Sequence, residues 1–179
     1  MKLAILDRDG VINYDSDQHI KSPSEWRPIP GSIEAIARLN QNGYRIAVAT
    51  NQSGIGRGLF DMATLNAIND KMMEMVFRHG GRIDALFFCP HTAAEECSCR
   101  KPRTGMLEEI AARFHTELKG VPAIGDSLKD LQAAESVGAQ PILVLTGKGA
   151  MTRHDGGVPK KTLVFEDLAE AARHLMSQA

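Results

Sequence analysis

Two rhythms of apolar residues alternate along this chain. Short, nearly unbroken apolar runs predict β-strands at residues 3–6, 45–49, 85–88, 122–124, 142–145 and 163–165. Between them apolar residues recur every three or four positions, the spacing that gathers them on one face of an α-helix. Ile33, Ile36, Ala37 and Leu39 form one such stripe; Leu65, Ile68, Met72 and Met75 form a second, with Asp61 placed to cap it. Leu107, Ile110, Ala111, Phe114 and Leu118 form a third, and Leu131, Ala134 and Val137 a short fourth that ends near Gly138. The methionines of the second stripe suit core filling, being flexible and apolar. Strand–helix alternation of this kind predicts an α/β fold, a doubly wound, mainly parallel sheet with helices on both faces.

Two stretches interrupt the rhythm. Residues 15–30 hold three prolines and little periodicity, so a long loop is expected near the end of the first strand. Residues 146–161 hold four glycines and mixed charge, and are expected to form a mobile loop before the last strand and helix.

Composition narrows the classes. A chain of 179 residues is expected to form one domain with a sizeable core. Its net charge of −1 argues against a broad nucleic-acid or anionic-membrane surface. No apolar run approaches the about 20 residues of a membrane span, and Met1-Lys2-Leu3 leads into a strand instead of a signal peptide, so a cytoplasmic protein is expected.

Chemistry concentrates where the predicted strands end. The first runs into Asp7-Arg8-Asp9-Gly10, two carboxylates and a residue free to turn. Crowded acids can divide labour, one ionised as nucleophile or metal ligand and the other carrying a proton. The second strand ends in Thr50-Asn51-Gln52-Ser53-Gly54, a cradle of hydroxyl, amide and backbone N–H groups suited to phosphate oxygens. Arg100-Lys101 follows the third, and Gly125-Asp126 with Asp130 follows the fourth. Carboxylates for attack, proton transfer and Mg²⁺ thus meet a hydroxyl and a lysine for phosphoryl charge. Calcium-loop, dinucleotide and Walker patterns all fail on spacing.

These four segments, in this order, resemble the motifs of haloacid dehalogenase-type phosphatases across most of the chain. The resemblance implies a capless Rossmann-like domain and a Mg²⁺-dependent phosphoaspartyl mechanism. It implies Asp7 as nucleophile, Asp9 as general acid and then base, and Thr50 and Lys101 as holders of the transferring phosphoryl group. Mg²⁺ would be bound by Asp7, the Asp9 backbone carbonyl and Asp126, with Asp130 a partner for Lys101.

Cys89, His91, Cys97 and Cys99 stand apart from these motifs. One imidazole and three thiolates make a complete tetrahedral Zn²⁺ set with no open position for water. Such a site is structural, and here it would staple the loop carrying Arg100 and Lys101. It narrows the resemblance to phosphatases acting on heptose bisphosphates or on histidinol phosphate. Thr50 to Gly58, together with Thr146-Gly147-Lys148-Gly149, looks more like the heptose group, which implies a role in activated-heptose supply for cell-surface polysaccharide. With no inserted cap, the expected substrate contacts are Asp15, His19, Asn51, Gln52, Ser53 and Arg100. The expected partner is a small phosphorylated sugar, met by a monomer, with no nucleic acid and no membrane.

Overall fold

The computed structural model describes residues 1–178. Six strands form one parallel sheet: β1 (Lys2–Leu6), β2 (Tyr44–Asn51), β3 (Ala85–Cys89), β4 (Pro122–Gly125), β5 (Gln140–Val144) and β6 (Leu163–Phe165). Their spatial order is β3-β2-β1-β4-β5-β6. The chain winds outward from β1 to β3, then returns to β4 on the other side of β1. The gap between the carboxyl ends of β1 and β4 is therefore the topological switch point, where open sheets of this kind bind ligands.

Strand alternation divides the core in two. Ala4, Leu6, Ile46 and Val48 face one side, packed with Ile36 and Leu39 of α1 (Ser32–Gln41). Ile68 and Met72 of α3 (Met62–Arg78) and Leu168 and Ala171 of α7 (Leu168–Ser177) complete that layer. Leu3, Ile5, Ala47 and Ala49 face the other side, against Leu107 and Ile110 of α4 (Gly105–Phe114) and Ala133 and Ala134 of α5 (Leu128–Ser136). Met72 is fully buried, as core filler should be. Asp61 caps α3, its carboxylate accepting from the Thr64 N–H at 2.8 Å.

Three expectations need correction. The stretch 146–161 is not all loop, because it contains α6 (Gly149–Asp155). The Thr152 hydroxyl of α6 donates to the carbonyls of Asp126 at 2.7 Å and Lys148 at 3.0 Å, which ties the helix to the end of β4. A four-residue helix, α2 (Ser53–Gly56), follows β2 where only an open cradle was expected. The third stripe also stops short: α4 ends at Phe114, and Leu118 is buried from the loop beyond it. Residues 15–30 do form a long loop, pinned at its far end. Trp26 is fully buried there, and Lys71 of α3 donates to the carbonyls of Pro23 and Trp26 at 2.6 and 2.9 Å.

The loop after β3 is held by its own ligands. Cys89, His91, Cys97 and Cys99 each offer a donor atom within 4.8 Å of the others. His91 Nδ1 lies 3.4 Å from the Cys89 sulfur and 3.3 Å from that of Cys99. Burial pushes the Cys89 thiol up to about 12, helped by its thiol neighbours. Cys97 is also desolvated, yet the Arg100 N–H and the adjoining thiols bring it down to about 6. Three crowded thiols and one imidazole, with no cationic side chain bonded to the sulfurs, fit a divalent zinc ion that would hold the thiols as thiolates. The Arg100 N–H points at the Cys97 sulfur, 3.4 Å away, so the segment that continues into Lys101 is fastened to this cluster. Replacing Cys97 by Ser should therefore drop bound zinc well below one ion per chain and speed amide exchange across residues 98–104. Elemental analysis returning full zinc in that variant would remove Cys97 from the ligand set.

Candidate active site

Asp7 follows the last residue of β1, and its N–H donates to the Ile124 carbonyl at 2.9 Å, which fastens it to β4. Its carboxylate meets Lys101, whose ammonium lies 3.1 Å from Asp7 Oδ1, 2.6 Å from Asp130 Oδ1 and 2.7 Å from the Ala49 carbonyl. Asp130 is set in turn by Ser127, whose N–H and hydroxyl both donate to Oδ2 in a capping box at the start of α5. Asn51 clamps the Lys101 backbone from both sides: Oδ1 accepts from the Lys101 N–H at 3.0 Å, and Nδ2 donates to the Lys101 carbonyl at 3.1 Å.

Asp9 occupies a different nest. Oδ1 accepts from Arg8 Nε and Asn13 Nδ2, both at 2.9 Å; Oδ2 accepts from Gln52 Nε2 at 3.0 Å and Arg8 Nη2 at 3.3 Å. The same Gln52 amide also donates to Thr50 Oγ1 at 2.9 Å, coupling the ends of β1 and β2.

Asp126 follows β4. Its Oδ2 accepts from the Lys148 N–H at 2.8 Å, while Thr146 donates to the Gly10 carbonyl at 2.6 Å. Gly10 has φ of +84°, and a Cβ there would lie 2.0 Å from Asp126 Oδ2. Gly147 is as constrained, since its Cβ would lie 2.2 Å from the same oxygen. Both positions need glycine for the backbone to pass beside the carboxylate.

Electrostatically the site lacks positive charge. Burial, then Asp130, raises Asp7 well above the usual carboxylate range, with Asp126 and Asp9 adding to it against Lys101. Burial and Asp130 bring Asp126 up to about 7. Lys101 is held protonated by Asp130 and Asp7 despite its burial. Asp9 is also desolvated, yet the Arg8 charge and its hydrogen bonds hold it below the ordinary value. The protein's own groups thus shift Asp7 upward and Asp9 downward. The carboxylates of Asp7, Asp126 and Asp130 converge with Lys101 as the cation bonded between them, so a divalent cation fits the missing charge. A cation at Asp7 and Asp126 would lower Asp7.

A cavity opens over these groups. Asp7, Asp9, Asp15, His19, Thr50, Asn51, Ser53, Arg100, Lys101 and Asp126 all line it. Gln52, expected to touch substrate, is not among the residues lining the cavity; it is 2 % exposed and bonded to Asp9 and Thr50. Asn51 reaches the cavity but spends its amide on the Lys101 backbone. Sequence reasoning missed Arg57, Lys129 and Lys148, which bring further cations to the cavity, and the buried Arg8–Asn69 pair behind Asp9. Asn69 left one signal, a polar residue inside the apolar stripe of α3.

A HAD-hydrolase-like family model matches residues 98–171. The D-glycero-beta-D-manno-heptose-1,7-bisphosphate 7-phosphatase of Bordetella bronchiseptica is 56% identical over 179 residues, covering 100% of both chains. That of Pseudomonas putida is 54% identical over 98% of this chain and 100% of its own. The crystal structure of the B. bronchiseptica D,D-heptose 1,7-bisphosphate phosphatase, complexed with magnesium and phosphate, superposes with a TM-score of 0.99 over 100% of both chains. The corresponding enzyme of Burkholderia thailandensis, 50% identical, gives 0.79 over 99% of both. Identity of this extent over the full length places the chain in the D-glycero-beta-D-manno-heptose-1,7-bisphosphate 7-phosphatase family of HAD-like hydrolases.

Proposed function

We propose that this chain is a magnesium-dependent phosphatase that removes the C7 phosphate of D-glycero-D-manno-heptose 1,7-bisphosphate through a phosphoaspartyl intermediate. The observation that carries this assignment is the division of cations in the cavity. Lys101 is buried beside Asp7, whereas Arg57, Lys129 and Lys148 are exposed and Arg100 half-buried. Arg100 and Lys148 both disfavour the charge on Lys129, after its partial burial. Like charges gathered this way suit a second anion, which a bisphosphate carries and a monophosphate lacks. The relatives are named for the β-anomer, and the same preference belongs to this proposal.

In this mechanism an Asp7 carboxylate oxygen attacks phosphorus and forms an aspartyl–phosphate bond as the bond to the sugar oxygen breaks. The departing alkoxide takes the proton of Asp9; Lys101 and the Thr50 hydroxyl hold the phosphoryl oxygens meanwhile. The negative charge of an incoming phosphate would raise Asp9 toward its protonated form, against the pull of Arg8. Asp9 next removes a proton from water, whose oxygen attacks phosphorus and releases Asp7 and inorganic phosphate. Asp7, Asp126 and the Asp9 carbonyl would hold magnesium, which supplies positive charge for Asp7 and the phosphoryl oxygens.

The rest of the assignment is a monomer acting in the cytoplasm on a small phosphorylated sugar, in activated-heptose supply. A thiol-rich metal site suits a reducing compartment. No helix among the described residues is long and apolar enough to cross a membrane.

Asp7→Asn should reduce turnover by about 10⁴-fold or more, about 5.5 kcal/mol in the barrier, because an amide does not attack phosphorus. Near-normal steady-state activity in a preparation free of deamidation would sink the covalent route. Arg100→Ala should lower kcat/KM for the bisphosphate by about 10- to 1000-fold, from lost charged hydrogen bonds and positioning. The monophosphate of the same sugar should lose far less. Equal losses on the two would assign Arg100 to the transferring group, and a wild-type preference for histidinol phosphate would overturn the substrate.

A further inference from the structure

Arg8 is fully buried, and no step of the mechanism uses it. Its guanidinium reaches Asn69 of α3, the helix packed in the layer of Ala4 and Leu6. There it makes two kinds of contact through different nitrogens. Nε and Nη2 grip the two oxygens of Asp9 at 2.9 and 3.3 Å, and Nη1 donates to Asn69 Oδ1 at 3.1 Å. A guanidinium is a rigid planar fork, so fixing Nη1 fixes the plane in which Nε and Nη2 present themselves. Asn69 is 5 % exposed, sits in the apolar stripe of α3, and does not line the cavity. A polar side chain in such a stripe is costly unless bonded, and its one side-chain bond goes to Arg8.

We infer that Asn69 is a positioning residue for the acid–base step: through the plane of the Arg8 guanidinium it sets the direction of the Asp9 carboxyl toward the oxygen of the leaving group. This rests on Asp9 being the acid, as proposed above. The chemistry gives a signature that simple destabilisation lacks. A sugar alkoxide needs its proton as the bond breaks, whereas a nitrophenolate leaves with little help. Asp9 also serves as base once the aspartyl–phosphate has formed, a step both substrates share, so the signature lies in leaving-group release within the first turnover: misdirecting Asp9 should slow that release from the sugar and spare it from the nitrophenyl ester.

The test compares wild type, Asn69→Ala, Asn69→Leu, Asn69→Asp and Asp9→Asn on heptose 1,7-bisphosphate and on nitrophenyl phosphate, with thermal unfolding alongside. Leu keeps the volume and the apolar stripe, so one acceptor-free variant remains if the alanine variant fails to fold. Measured as release of the leaving group in a single turnover, loss of the acceptor should lower the rate on the bisphosphate about 10- to 100-fold, with the half-saturating concentration and the nitrophenol burst rate within about threefold of wild type. Asn69→Asp, which retains an oxygen to accept from Nη1, should recover the bisphosphate rate to within about threefold. Equal losses on both substrates, no loss on either, or failure of Asn69→Asp to recover would each overturn the inference. Asp9→Asn separates the two levels. If it slows the bisphosphate selectively while the Asn69 variants do not, the positioning role alone fails; if it slows both equally, Asp9 is not the acid and both fall.

Discussion

The ammonium of Lys101 lies within 3.1 Å of Asp7, Asp130 and the carbonyl of Ala49, and only 5 % of the residue is exposed. A charge so far from water demands partners, and removing one partner from a buried pair typically costs about 3–5 kcal/mol. Those partners come from the ends of β1 and β2 and from the first turn of α5. The lysine itself arrives on the loop anchored by Cys97 and clamped by Asn51. One ion cluster thus holds together the ends of separate elements, and the cavity takes its shape from that convergence.

The zinc ligands and the Asn51 amide serve the same end by different means. Neither needs to touch a substrate to matter, because each limits where Lys101 can go. Gln52 does the equivalent for Asp9 and Thr50. Amide side chains suit this work, since one group can donate and accept in opposite directions without adding charge to a crowded site.

Much of this was legible in the residues. All six strands follow from apolar runs bounded by turn residues, with end points shifted by two residues or fewer. The meeting of Asp7, Asp9, Lys101 and Asp126 at one cavity was legible because each lies beside a short, distinctive local pattern. Helix α6 was not, because Gly147 and Gly149, which suggest a loop, are there to pass close to Asp126 and to the Val144 carbonyl, and its short run of residues gives too little periodicity to detect. The inward turn of Gln52 was also hidden. A side chain two residues past a strand can face solvent or core, and only the donors and acceptors around Asp9 decide which. Lys129 and Lys148 were hidden for another reason: cations far apart in sequence announce no common target until the fold brings them to one opening.

The bond from Thr146 to Gly10 spans 136 residues, and the contact between Lys101 and Asp7 spans 94. Contacts that long close late, because the entropy of bringing distant segments together must be met before they stabilise anything. During synthesis the Asp7 turn emerges among the first residues, yet the backbone that steadies Asp126 belongs to the final fifth of the chain. A polypeptide still lacking the later segment therefore carries the Asp7 carboxylate without the surroundings that hold Asp126 in place. A complete site in this architecture is a late property, acquired only when segments far apart in the sequence have met.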